Sequence, residues 1–207
     1  MEVTTEYPFT TPWRLAVAGT LENIIETDMI VNCADESTVE DMSWINPGVT
    51  TWGWLAGTLK SQHDFEGIKK IVDLAAEMEW SYYILDEGWQ PYNPNYVFDP
   101  LNPDPNNRKY NGYYDGCDEL VEYAEERGVG MVAWILAHDL DTPEELTILE
   151  DFAAHGIKGI KVDFFDYDDQ ETTALYEVFY KECARLGLIV NAHGANKPTG
   201  EARTHPN

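Results

Sequence analysis

Gly156-Ile157-Lys158-Gly159-Ile160-Lys161-Val162-Asp163-Phe164-Phe165-Asp166 is the stretch from which this chain is best read. Ile157–Phe164 has the length and composition of a short buried strand, and a carboxylate, Asp163, stands at its far end. An amphipathic helical pattern closed by Gly156 precedes it, and an Asp-rich helix opening follows. Helix, strand and helix in that order form the unit of a parallel α/β fold. In a strand-helix repeat, an acid at the C-terminal end of a strand sits where catalysis is done.

The same alternation continues in both directions. Upstream, Thr50–Leu55 reads as a strand after Gly48, and Ser61 or Asp64 caps a helix running to about Met78. Phe65, Ile68, Ile71, Val72, Leu74 and Ala75 make the buried face of that helix. Ser81–Leu85 is the next strand, ending at Asp86-Glu87-Gly88-Trp89, and Pro91–Gly112 fits neither periodicity and reads as a loop. Cys117–Arg127 is a helix stopped by Gly128, and Gly130–Leu136 is a strand. Thr142-Pro143-Glu144-Glu145 opens a helix to about Ala154, with a capping residue, a proline in the first turn and acids at the positive end. Downstream come a helix, Gln170–Leu186, and a last strand, Leu188–Ala192. Near the start, Arg14–Ala18 is a short apolar run and Leu21–Asn32 reads as helix passing into strand. The sum is about five strand-helix units, the last without its helix, which predicts an incomplete (β/α)8 TIM-barrel type fold over residues 1–207.

Composition narrows the function. The 207 residues are 43% apolar and 13% aromatic, which supports a packed core. With 13 Lys and Arg against 38 Asp and Glu, the formal net charge of −25 disfavours nucleic acid and anionic membrane surfaces as partners. No apolar run is long enough to span a bilayer, and the first residues lack the basic and apolar regions of a signal peptide, so the cellular location stays open. Cys33, Cys117 and Cys183 are odd in number and have no metal-like spacing.

The chemistry-bearing side chains fall in register. Each predicted strand ends in a polar or aromatic cluster: Trp52 and Trp54, Asp86 and Glu87, Trp134 and His138, Lys161 and Asp163, and His193. In a β/α barrel these ends converge on one face. Aromatic rings stack on the C–H faces of sugars, and carboxylates accept bonds from sugar hydroxyls; paired acids also suit glycoside hydrolysis. Taken singly, the three tryptophans suit barrel packing equally well, Asp86 and Glu87 suit a solvated loop, and Asp163 suits a helix cap. His193 reads as a hydrogen-bonding group of the pocket rather than a metal ligand, and His63, His138, His155 and His205 read as surface or structural.

Several longer motifs carry a family resemblance. Thr11-Pro12-Trp13-Arg14, Ser43-Trp44-Ile45 with Pro47-Gly48, Asp86-Glu87-Gly88-Trp89, Lys158–Asp169 and Asn191–Gly200 with Arg203-Thr204-His205-Pro206-Asn207 together resemble glycoside hydrolase family 97, from about Tyr7 onward. That resemblance implies a (β/α)8 catalytic barrel set between an N-terminal β-sandwich and a small C-terminal β domain, neither of which is in this chain. The family holds calcium-dependent α-glucosidases that invert and α-galactosidases that retain the anomeric configuration.

The retaining branch carries its nucleophile in a Lys-Val-Asp motif, which falls on Asp163. The inverting branch has a base carboxylate on the following strand end, where this chain has His193-Gly194-Ala195. The chain therefore resembles the retaining, α-galactosidase side. A wider likeness to related α-galactosidases implies that Asp86 and Glu87 bind the galactose 4- and 6-hydroxyls and that Lys161 binds ring hydroxyls. Trp52, Trp54, Trp134 and His193 complete the expected substrate contacts. The family acid/base and most calcium ligands are implied downstream and one calcium ligand in the N-terminal domain, so no metal ligand is assigned here and this chain alone is expected to be inactive. The alternatives are an α-glucosidase of the same family and a non-catalytic carbohydrate-binding remnant.

Overall fold

A computed structural model describes residues 4–11, 13–89, 108–143 and 145–207. Five strands form one parallel sheet in chain order: β1 Thr50–Trp52, β2 Tyr82–Leu85, β3 Gly130–Leu136, β4 Gly159–Asp163 and β5 Ile189–Ala192. The crossovers carry helices α1 Phe65–Glu77, α2 Arg108–Glu125, α3 Thr147–Ala154 and α4 Gln170–Leu186. A parallel sheet whose strands neighbour one another strictly in sequence order is the topology of a β/α barrel, here five consecutive strands of one.

The two faces of the sheet make two separate clusters. Tyr83, Leu85, Met131, Ala133, Ile135, Ile160 and Val162 point outward and form one core with Ile68, Val72 and Ala75 of α1, Leu120 and Ala124 of α2, Leu149 and Phe152 of α3, and Phe179 and Cys183 of α4. Tyr82, Ile84 and Val132 face the other way and pack with Trp52 and Ile189 on the inside of the curved sheet. Alternation along each strand produces this division, because successive side chains of a strand point to opposite faces.

Local chemistry sets the element ends. The Asp64 carboxylate accepts the Gly67 amide at 3.0 Å and caps α1, and the Asp169 carboxylate accepts the Thr172 amide at 2.9 Å and caps α4. Gly156 takes a left-handed φ of +84° between α3 and β4, where a residue without Cβ avoids the steric penalty. Among the described residues no helix is long and apolar enough to cross a membrane.

Several sequence expectations shift. Leu21–Asn32 holds two short helices, Leu21–Ile25 and Met29–Cys33, and no strand. The first strand ends at Trp52, and Trp54–Gly57 is a helical turn. Leu74 is 46% exposed, because it sits at the edge of the α1 stripe while Ile68, Val72 and Ala75 point at the sheet. Helix α2 begins at Arg108, nine residues before the expected Cys117, so the last residues of the expected loop are helical; residues 91–107 of that loop lie outside the described set. At the start of α3 the Thr142 hydroxyl accepts the Glu145 amide and the Glu145 carboxylate accepts the Thr142 amide, the reciprocal pattern of a capping box, although α3 itself runs only from Thr147.

Candidate active site

The C-terminal ends of the strands bring six of the expected residues into one hydrogen-bonded cluster. The inward side chains at these ends are Trp52 on β1, Asp86 just after β2, Trp134 on β3, and Lys161 and Asp163 on β4; His193 follows β5. The strand register explains the meeting, since Trp134 pairs with Lys161, and Lys161 with Asn191 two residues before His193. Asp86, Lys161 and Asp163 are 2, 3 and 5% exposed, so their charges must be satisfied inside the protein.

Asp86 is the more fully neutralised of the two acids. Its Oδ2 accepts from Lys161 Nζ at 2.7 Å and from Trp52 Nε1, and its Oδ1 accepts the Glu87 amide at 2.8 Å. Lys161 Nζ also lies 4.5 Å from the centre of the Trp52 ring, a cation–π position. The backbone amide of Asp86 has its own acceptor, Gln62 Oε1, at 2.8 Å.

Asp163 is held differently. Lys161 Nζ is 3.5 Å from its Oδ2, a looser ion pair than that with Asp86. Trp134 Nε1 donates to Oδ2 at 3.1 Å, the Phe164 amide donates to Oδ1 at 2.9 Å, and His193 Nδ1 stands 2.9 Å from both oxygens. Burial by itself raises the Asp163 pKa, and the bonds from His193, Trp134 and Phe164 outweigh it, so the carboxyl titrates below its ordinary value. It is therefore ionised at neutral pH.

Backbone shape fixes that carboxylate. Phe164 adopts φ +62°, a conformation a non-glycine residue rarely takes, and its amide donates to the Asp163 side chain before it. Gly194 takes φ +57° directly against the acid: a Cβ there would stand 2.8 Å from Asp163 Oδ1. Both are invisible to pattern reading, as is Gln62, because each acts through a contact between distant segments.

The other expected residues stand around this cluster. Trp54 stacks on Trp52 at 5.8 Å and joins the cluster through it. Trp134 is buried against Asp163, and Trp89 Nε1, in the loop after β2, donates to the Trp134 carbonyl at 2.7 Å. Glu87 follows Asp86 at the half-buried rim, linked through its amide. His193 is 53% exposed and is the open side of the cluster. His138 lies apart from it, bridging Asp166 at 3.0 Å and Asp141 at 3.5 Å on the surface.

No group of three or more His, Cys, Asp or Glu side chains converges among the described residues in a way that would hold a metal ion. The two clustered acids have their oxygens engaged by donors, so these residues do not fit a calcium ion and no chemistry is routed through one here.

A parallel strand-helix barrel with buried, charge-paired acids on its strand ends is the arrangement of a barrel enzyme. Residues 44–207 match the sequence model of the family Glycoside hydrolase 97, and the chain belongs to that family. It is 38% identical over 208 residues to a probable retaining alpha-galactosidase of Streptomyces bingchenggensis, covering 99% of this chain and 31% of that protein. It is 34% identical over 203 residues to a retaining alpha-galactosidase of Bacteroides thetaiotaomicron, covering 95% of this chain and 29% of that protein. Among solved structures it is similar to a beta-arabinopyranosidase, with TM-score 0.69 and 25% identity over 89% of this chain and 28% of that one. A Glycoside Hydrolase Family 97 enzyme from Pseudoalteromonas sp. strain K8, solved with acarbose, shares the fold with TM-score 0.70 at 18% identity, over 89% of this chain and 32% of that one. The chain thus spans about a third of the length of its relatives.

Proposed function

We propose that this chain is the nucleophile-bearing part of the catalytic barrel of a retaining α-galactosidase, with Asp163 as the nucleophile. The observation that carries the reading is a buried carboxylate, kept ionised at the end of β4, with three hydrogen-bond donors on its oxygens. A carboxylate offers about four lone-pair positions, so three donors leave one for attack on carbon. Lys161 sits closer to Asp86 than to Asp163, so its attraction falls mainly on Asp86 and Asp163 is the less tightly paired of the two acids. The names of the two relatives at 38 and 34% identity support the galactoside reading.

In this reading Asp163 attacks the anomeric carbon and forms a glycosyl ester, while an acid elsewhere protonates the departing oxygen. Water then breaks the ester and that second group accepts its proton. Asp86, Glu87 and Lys161 bind the sugar hydroxyls, and Trp52 with Trp54 and His193 line its approach. No residue of this chain is assigned the acid/base role, so the 207-residue chain alone is expected to bind sugar without turning it over.

The test is made on the full-length protein with aryl α-galactoside and aryl α-glucoside, following by NMR the anomer first released. Hydrolysis of the galactoside with retention, lost by about a thousandfold or more in Asp163→Asn, is the expected result. Full activity in that variant would remove Asp163 as nucleophile. Preference for the glucoside would make the protein an α-glucosidase, and saturable galactose binding with no turnover would make it a binding protein.

A further inference from the structure

We propose that Gln62 is a positioning residue for sugar recognition, acting through Asp86; this rests on the functional reading above, in which Asp86 binds the substrate. Gln62 lies in the 3-10 segment Thr58–His63, between β1 and α1, and is fully buried. A fully buried amide side chain must have its polar atoms paired. Gln62 Oε1 accepts the Asp86 amide at 2.8 Å, and Gln62 Nε2 donates to Ser61 Oγ at 2.9 Å; that hydroxyl in turn donates to the Thr58 carbonyl at 2.7 Å.

The place of that bond gives it a function. The ladder between β2 and β3 ends at the pair Leu85 and Ala133, so Asp86 is the first residue past the registered pairs. Gln62 takes up its amide there. The orientation of that peptide determines where the Asp86 carboxylate points. The same carboxylate then holds Trp52 Nε1 and Lys161 Nζ, and Lys161 is the cation 3.5 Å from Asp163. One neutral side chain in the connection between β1 and α1 thus sets the position of the carboxylate that arranges Trp52 and Lys161. Neutrality matters as well, because a permanent charge at Gln62 would be buried next to the Asp86 peptide and unpaired.

The experiment is a double-mutant cycle in the full-length enzyme, using Gln62→Met and Asp86→Asn and reading KM and kcat on aryl α-galactoside, with galactose binding by calorimetry as a readout free of turnover. Gln62→Met keeps the side-chain length and removes the acceptor. It is expected to raise KM and the galactose Kd about tenfold while kcat changes by less than about threefold, the pattern of lost ground-state binding. In an Asp86→Asn background the same change should add nothing, since Gln62 acts through that carboxylate. Gln62→Glu, whose buried carboxyl in its protonated form has both the acceptor and the donor of the amide, is expected to keep wild-type KM at mildly acidic pH and to raise it as the pH rises and that carboxyl ionises; at the higher pH it replaces Gln62→Met in the cycle if that variant does not fold. Equal losses in both backgrounds, or a fall in kcat with unchanged KM, would overturn the positioning role while leaving Asp86 as the sugar-binding acid. An Asp86→Asn variant with unchanged KM and galactose Kd would instead overturn the functional reading of Asp86, and this role with it.

Discussion

His193 and Asp163 form the contact on which the pH behaviour of the site rests. Burial pushes the Asp163 carboxyl up, and the His193, Trp134 and Phe164 donors pull it further down, to below its ordinary value. A carboxyl whose folded pKa is depressed stabilises the fold above its unfolded value of about 3.9, and that contribution is lost as pH falls through the folded value. Replacing His193 with Ala removes the strongest of the lowering contacts, so the Asp163 pKa rises. The acid limb of kcat/KM should then move to higher pH, and acid unfolding should begin at higher pH; a full pH profile and acid titration of the variant check both. An unmoved acid limb would mean that His193 does not bear on the carboxylate in solution. Gly194 offers a second test on the same acid. A Cβ there meets Asp163 Oδ1 at 2.8 Å and φ is +57°, so Gly194→Ala should lower kcat at least tenfold, measured beside a melting curve.

At the scale of elements, helix α1 separates pattern from packing. Its apolar spacing marks six residues for the core, yet Ile68 is 1% exposed and Leu74 is 46% exposed. A helical stripe has edges, and which edge is covered depends on how the helix lies on the sheet. Ile68→Ala should therefore cost about 2–5 kcal/mol and Leu74→Ala less than about 1 kcal/mol, read from urea unfolding of the two variants. Comparable losses would mean that α1 sits rotated on the sheet. On α4, Phe179 is fully buried and stacks near Phe165 and Tyr180, so Phe179→Ala belongs with the costly class, about 3–5 kcal/mol.

For the molecule as a whole, charge is the dominant feature. A net charge of −25 on 207 residues repels itself, and most of that charge is on the surface, where salt screens it. Raising sodium chloride from about 0.05 M to about 1 M shortens the screening length from more than 10 Å to about 3 Å and should raise Tm, by scanning calorimetry. The ion pair of Lys161 with Asp86 is buried and should be insensitive to the same change, so sugar binding is expected to vary little over it. A Tm that falls with salt would show that surface ion pairs, such as that of Arg127 with Asp73 at 2.7 Å, outweigh the general repulsion.

The sequence by itself determined the alternation of strands and helices, because burial on both faces of a parallel strand and on one stripe of a helix each leave a periodic mark. Strand β3 and helix α4 were legible to the residue, and the strand-end acids Asp86 and Asp163 were legible as acids at strand ends. The meeting of those acids around one lysine was decided by the tertiary structure, since it depends on the stagger between neighbouring strands. The same holds for Trp134, whose buried indole donates to Asp163, and for Gln62 and Gly194. Their contacts join segments 24 and 31 residues apart in the chain, and hydrogen bonds across such distances leave no period in a sequence.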